Sequence, residues 1–160
     1  MAEDTVDAAA KVAGLRAIPC RTEKLPIHGA IPGVAIPEQE TPDEFANYGA
    51  DAAALQALMQ SEPELAQKLH PGFRYTLAEV VWAVRHEMAR TVEDVLARRL
   101  RVLFLDARAA LAMAPAVADL MARELRRDEA WRQEQFQAFE MLARQYLRQS
   151  SEEFTERGLD

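Results

Sequence analysis

At 160 residues, 49% hydrophobic and 28% charged, the chain is long enough for one ordinary globular domain with its own core and too short for a second. Its net charge of -7 excludes the broad basic footprint that phosphate neutralisation demands, so no nucleic acid is expected as a partner. No run approaches the roughly 20 apolar residues of a bilayer span, and the opening MAEDTVDAAAK lacks the basic-then-apolar order of a secretory signal, which points to a soluble, cytoplasmic chain with no direct membrane span.

Residues 2–13 favour a helix: Glu3 and Asp4 suit the positive end of its dipole, Ala8 to Ala10 fill its interior, and Gly14 ends it. Between Leu15 and Thr41, Pro19, Pro26, Pro32 and Pro37 recur with Gly29 and Gly33 among them, a spacing that no regular helix survives. The same stretch carries Leu25, Ile27, Ile31, Val34 and Ile36, too apolar for a free linker, and reads as an extended arm laid across a packed surface. Cys20, alone of its type, can supply neither an internal disulfide nor a multi-thiolate metal site, and is expected to be a small packed apolar side chain.

From Thr41 the pattern turns helical, with Thr41 as a cap, Pro42 in the first turn, and Phe45 and Tyr48 facing inward. Residues 50–59 form a short helix around Leu55, Leu58 and Met59. Ser61-Glu62-Pro63-Glu64 opens another that runs toward Leu69 and stops at His70-Pro71-Gly72. Thr76 and Glu79 form a capping box for a helix whose apolar face is Leu77, Val80, Val81, Val84 and Met88, with Trp82 off its centre line.

Thr91 and Asp94 repeat the start signal, and Val92, Val95, Leu96 and Leu100 run into Val102-Leu103-Phe104-Leu105. That four-residue run by itself fits a buried strand, but the Ala-rich ARAALAMA beyond it favours a fully buried helix segment. Pro115 suits the first turn of a new helix carrying Val117, Leu120, Met121 and Leu125. Asp128 caps a last helix with a stripe of Trp131, Phe136, Phe139, Leu142, Ala143, Tyr146 and Leu147, and the polar tail after Ser150 frays. The fold expected is all-α, an irregular bundle of about six to eight helices preceded by an extended Pro-rich arm.

Chemistry is harder to find. The glycines, at 14, 29, 33, 49, 72 and 158, are too dispersed for a phosphate-cradling loop. His28, His70 and His86 are isolated, and Glu87 beside His86 diverges from it by about 100° on a helix, so no metal face forms. His86 is expected to have a structural or surface role, and His70 to belong to a helix stop. Ser61, Ser150 and Ser151 lack a nucleophile elbow. Arg85, Arg90, Arg98, Arg99, Arg101 and Arg108 have the chemistry of an anion clamp. An acid precedes its arginine by four residues at Asp94–Arg98, Asp119–Arg123 and Glu140–Arg144, the orientation that supports a helix by about 0.2–0.5 kcal/mol per pair. Ion pairs within or between domains are therefore expected for the arginines, and no residue is assigned as catalytic, cofactor-binding or metal-binding.

Three stretches carry a resemblance that extends over almost the whole chain. MAEDTVDAAA at 1–10, PCRTEKLPIHGA at 19–30, and the run from Tyr75 to Pro115 with its AVRHEMARTVEDVLARR and LFLDARAAL, followed by VADLMARELRRDEAW at 117–131, are similar to the carboxyl-terminal region of FAD-dependent glycerol-3-phosphate dehydrogenases and α-glycerophosphate oxidases. The resemblance implies that residues 1–40 are a remnant of the last helix of an FAD domain plus an inter-domain strap, and that 41–160 are the carboxyl-terminal helical domain. It implies a fragment of a parent that oxidises glycerol 3-phosphate to dihydroxyacetone phosphate on FAD, at the inner face of the cytoplasmic membrane, with quinone or oxygen as acceptor. The flavin and substrate residues would lie upstream of Met1, so the chain alone is expected to hold no cofactor and to be inactive. Its partner would be the FAD-binding and substrate domain of the same parent, which it would support or cover, with oligomer contacts as a further role. The competing readings are a free-standing helical protein-interaction module and, more remotely, an independent enzyme built on the Arg85–Arg108 cluster.

Overall fold

The computed structural model describes residues 2–16, 18–22, 25–27, 29–30 and 45–147. The rest of the Pro-rich arm, the Thr41-Pro42 start, His28 and the tail beyond Ser150 lie outside these residues. The described residues form six α-helices, two 3-10 turns and one π-helical turn, with an isolated antiparallel bridge between Lys68 and Thr76 in place of any strand. The all-α expectation holds. The chain divides into two compact units, residues 1–52 and 53–160.

In the first unit, α1 spans Ala2–Val12 with Glu3 and Asp4 in its first turn and Lys11 in its last, charges that match the helix dipole. Gly14 takes φ 64° and Leu15 N–H reaches back 2.9 Å to Ala10 O, closing the helix where the sequence places its end. None of α1 is buried, and Val6, Val12, Leu15, Ile18, Leu25 and Ile27 are all exposed. Cys20 is exposed too, 3.0 Å from the Thr22 hydroxyl, which corrects the expectation of a packed thiol: the described residues around it build no layer that covers it. Farther on, a 3-10 turn covers Ala46–Asp51. Gly49 there sits at φ 54° beside Gly29, whose carbonyl accepts from Ala50 N–H at 2.8 Å, and a Cβ at Gly49 would lie 2.0 Å from that oxygen. Phe45 is buried and Tyr48 half-buried, as their inward assignment requires.

The second unit is organised on α3, Leu77–His86, in which every residue from Ala78 to Val84 is buried. A helix apolar all round belongs at the centre of a bundle, so Trp82 is core as well as Val80, Val81 and Val84. Its start is the expected capping box: Thr76 N–H donates to Glu79 Oε2 at 2.7 Å, and both residues are buried. Its end comes early. Ala89 N–H donates to Ala83 O at 2.9 Å while Met88 swings to φ 59° and is 77% exposed, so Met88 is not on the apolar face assigned to it.

α2 (Ala52–Ser61) buries Leu55 alone. The helix expected from Pro63 to Leu69 reduces to one 3-10 turn, Pro63–Ala66. Gln67 turns extended because its carbonyl is taken by Leu77 N–H at 3.0 Å and Leu69 N–H goes to Tyr75 O at 2.9 Å, cross-links that compete with helical bonds. His70 therefore stops no helix; its Nδ1 accepts from Gly72 N–H within the turn.

Thr91 and Asp94 do start a helical segment, with Asp94 N–H on the Thr91 hydroxyl at 3.1 Å and the Asp94 carboxylate on Thr91 N–H at 3.0 Å. The segment then widens to a π-helical turn, Asp94–Arg99, closed by Leu100 N–H on Val95 O at 2.9 Å. Arg101 at φ 60° separates it from a single-turn helix α4, Val102–Leu105. Within that run Val102 and Leu103 are buried, but Phe104 is 55% and Leu105 68% exposed, so the fully buried segment read from the sequence is half wrong. The backbone breaks at Asp106, whose extended φ −154° lets its carboxylate cap Arg108 N–H and Ala109 N–H at 2.9 and 3.0 Å.

From that cap, α5 runs unbroken through Ala107–Leu125 and packs against α6 (Glu129–Arg144), α3 and α4. Pro115 lies in its interior, not at a new start. A proline there lacks the N–H that Leu111 O would accept and costs about 3 kcal/mol in a free helix. Here Met113, Ala114, Val117, Ala118 and Met121 are buried on both sides of it, and at roughly 1.5–3 kcal/mol per large buried side chain this burial outweighs the defect. Asp128 caps α6 through Trp131 N–H at 2.9 Å. Phe139 and Ala143 are its buried residues, while the helix ends at Arg144, leaving Tyr146 and Leu147 beyond the stripe assigned to it.

Candidate functional site

The arginines that formed the best sequence candidate are distributed by the fold, not gathered. Arg85, in the last turn of α3, crosses to α5 and holds Glu124 through Nε at 2.7 Å and Nη2 at 2.8 Å, with Glu62 at 3.5 Å on its other side. The hydrogen bond that Arg85 donates to Glu124 outweighs partial burial and raises the Arg85 pKa, with attraction to Glu124 and Glu62 adding to it. Arg90 turns back on the end of α3 and donates to Val84 O and Ala89 O at 3.2 and 3.0 Å, covering carbonyls left open where the helix stops. Arg98 holds both Glu93 and Asp94. Arg99 donates to the Glu87 carbonyl and lies 3.5 Å from its carboxylate. Arg101 and Arg108 are exposed, and neither pairs with an acid among the described residues.

Two of the three expected helical pairs form, Asp94–Arg98 and Glu140–Arg144, the latter at 2.9 Å. Asp119 does not pair with Arg123. It lies on the flank of α5 that meets α6 and takes Arg132 instead, which also holds Glu129. Those two carboxylates raise the Arg132 pKa, and Arg132, followed by Gln133, holds the Glu129 carboxyl below its usual range. Around them lies an open groove of about 460 Å³, lined also by Arg123, Arg127 and Asp128, in which Arg132 pairs with Asp119 and Glu129. Beside it, a hollow of about 200 Å³ lined by Pro115, Ala118 and Phe136 is apolar.

The exposed His86 ring lies against Trp82, with ring centroids 4.1 Å apart and planes tilted by 30°. Among the described residues no three His, Cys, Asp or Glu side chains come close enough to hold a metal ion, and no helix is long and apolar enough to cross a membrane. What the sequence did not reveal is long-range: Glu124 as the partner of Arg85, Arg132 as that of Asp119, and Gln135 of α6 accepting from Val92 N–H at 3.3 Å. No local pattern marks such pairs, since 39, 13 and 43 residues separate them.

Such an arrangement defines an all-α domain in which polar side chains are used chiefly to cap helices and tie them together. Comparison places it further. Residues 20–132 match the family described as the C-terminal domain of alpha-glycerophosphate oxidase, and the chain belongs to that family. It is 34% identical over 180 aligned residues to the mitochondrial glycerol-3-phosphate dehydrogenase of Homo sapiens, an alignment covering 99% of this chain and 24% of that protein. The mouse mitochondrial enzyme is 36% identical, covering 86% of this chain and 21% of its own length. Glycerol-3-phosphate dehydrogenase 1 of Mycobacterium tuberculosis is 37% identical, covering 64% and 20%. The chain thus spans between a fifth and a quarter of the length of these relatives. No solved structure gives a significant match.

Proposed function

We propose that the chain is the non-catalytic C-terminal domain of an FAD-dependent glycerol-3-phosphate dehydrogenase, a longer protein that oxidises glycerol 3-phosphate to dihydroxyacetone phosphate. The family match over residues 20–132 carries this reading, supported by relatives in three mammals and in mycobacteria that bear that enzyme's name. Flavin and substrate belong in this reading to the remainder of the parent, which the domain supports. Residues 1–40 are the remnant of the last FAD-domain helix and the strap, and 41–160 the helical domain. The exposure of Val6, Val12, Leu15, Ile18, Leu25 and Ile27 supports that division, since an apolar arm of this kind needs a surface to cover. In this reading the domain lies in the cytoplasm, with its parent at the inner face of the cytoplasmic membrane.

The test compares the 160-residue chain with the longer chain encoded by DNA upstream of Met1. Each is loaded with FAD and given glycerol 3-phosphate, and bleaching of the flavin is followed. Reduction in the longer chain alone is expected. Turnover by the 160-residue chain, or upstream DNA without a Gly-x-Gly-x-x-Gly segment, overturns the reading.

A further inference from the structure

An irregular stretch of backbone in the second unit underlies a group of exposed apolar side chains. Between the π-helical turn Asp94–Arg99 and the break at Asp106, α4 raises Phe104 and Leu105 to the surface, 55% and 68% exposed, with the Tyr146 ring edge-on to Phe104 at 5.6 Å and itself 49% exposed. Arg101 and Arg108, both exposed, precede and follow Phe104 and Leu105 along the chain. Arg101 occupies the left-handed region at φ 60°, a conformation that costs a non-glycine residue and persists only where other contacts impose it.

We propose that this ridge, formed by Arg101, Phe104, Leu105, Arg108 and Tyr146, is the face by which the domain docks on an acid-rimmed apolar surface of the remaining part of its parent chain. The inference rests on the proposed function and adds to it the place of contact. Aromatic and arginine side chains around an apolar centre are the composition of an interface core. Charge then selects the occupant. A second copy related by two-fold symmetry brings the same two arginines to the same ridge and repels it. A lipid surface calls for a cluster of about 4–8 free basic residues, whereas Arg98 and Arg99 are neutralised by Glu93, Asp94 and Glu87 and the whole chain carries -7. Two arginines without an acidic partner among the described residues, beside an aromatic ridge, suit a protein surface bearing carboxylates. The relatives are four to five times as long as this chain's share of them, so in this proposal that surface belongs to the same polypeptide.

The experiment labels a single thiol. In a Cys20→Ser background, Leu105→Cys is reacted with a maleimide in the 160-residue chain and in the flavin-loaded longer chain. Labelling at least tenfold slower in the longer chain is expected, with Arg101→Glu and Arg108→Glu together restoring the fast rate while leaving the melting temperature of the 160-residue chain in place. Equal rates in the two chains overturn the docking face and leave the proposed function standing. An upstream region that encodes no flavoprotein removes both. Protection in the 160-residue chain that grows with its own concentration, or that appears on adding phosphatidylglycerol vesicles, overturns the assignment in favour of a second copy or a lipid surface.

Discussion

Arg85 of α3 and Glu124 of α5 meet in two parallel hydrogen bonds, 2.7 Å from Nε and 2.8 Å from Nη2, and so join the central helix to the longest one. The geometry is the bidentate fork that makes arginine irreplaceable by lysine at such a place. Both groups are partly solvated, 39% and 18% exposed, which keeps the pair in the modest range. A double-mutant cycle of Arg85→Ala and Glu124→Ala, read by urea unfolding, is expected to give a coupling of about 1 kcal/mol that shrinks in 1 M salt. A coupling indistinguishable from zero at low salt would show that the fork contributes nothing to holding α3 on α5.

Leu103 and Leu105 are two residues apart on α4, yet one is 2% and the other 68% exposed. Leu103→Asp places a charge among packed side chains and is expected to cost more than about 4 kcal/mol, enough to unfold the second unit. Leu105→Asp is expected to cost less than about 1 kcal/mol, and Arg123→Ala, on the open side of α5, less still. Thermal melts of the three variants decide the matter. Similar losses for the two leucines would restore the fully buried segment and remove the ridge.

How much of this was legible beforehand depended on whether the cause was local. The Thr76–Glu79 box, the Asp128 cap, Gly14 and the burial of Val80, Val81 and Val84 follow from neighbours in sequence, and they were read correctly. Pro115 misled because tertiary burial on both sides of it overrides a local rule. Met88 and Arg101 misled because nothing in their side chains announces a left-handed backbone, which elsewhere calls for glycine. The π turn and the Asp106 break shift the helical phase within a dozen residues, so one uniform helical period cannot assign faces from Val92 to Leu105. For the candidate site the same limit applied: residue types identified the arginines, but only the fold shows which are paired and which two have no acidic partner among the described residues.

Asp94 gives a pH signature. Partial burial pushes its carboxyl up, but hydrogen bonds from Arg90 N–H, the Thr91 side chain, Arg98 and Thr91 N–H outweigh this and hold it below the usual aspartate range. A group whose folded pKa is depressed binds its proton more readily when unfolded, so its contribution is complete above the unfolded value and disappears as pH falls through the folded one. Asp94→Asn is therefore expected to lose about 1 kcal/mol at pH 7, with the gap from the native chain constant down to about pH 5 and closing below pH 3.8. Urea midpoints measured from pH 7 to 2.5 test the sign, and a gap that widens on acidification would contradict it.

The end of α5 holds the last prediction. Arg126 sits at φ 53°, ψ 48°, and Arg127 N–H returns 2.8 Å to Ala122 O, the hydrogen bond of a helix end that normally places glycine at the left-handed position. The arginine is exposed, so its side chain offers little to offset the crowding of its Cβ against the following carbonyl. Arg126→Gly is expected to stabilise the domain by about 1 kcal/mol relative to Arg126→Ala, which keeps the Cβ and so isolates the backbone effect from the loss of charge. If the glycine and alanine variants melt at the same temperature, the strain at this turn is relieved in some other way, and α5 is held at its end by packing against α6 and not by the turn.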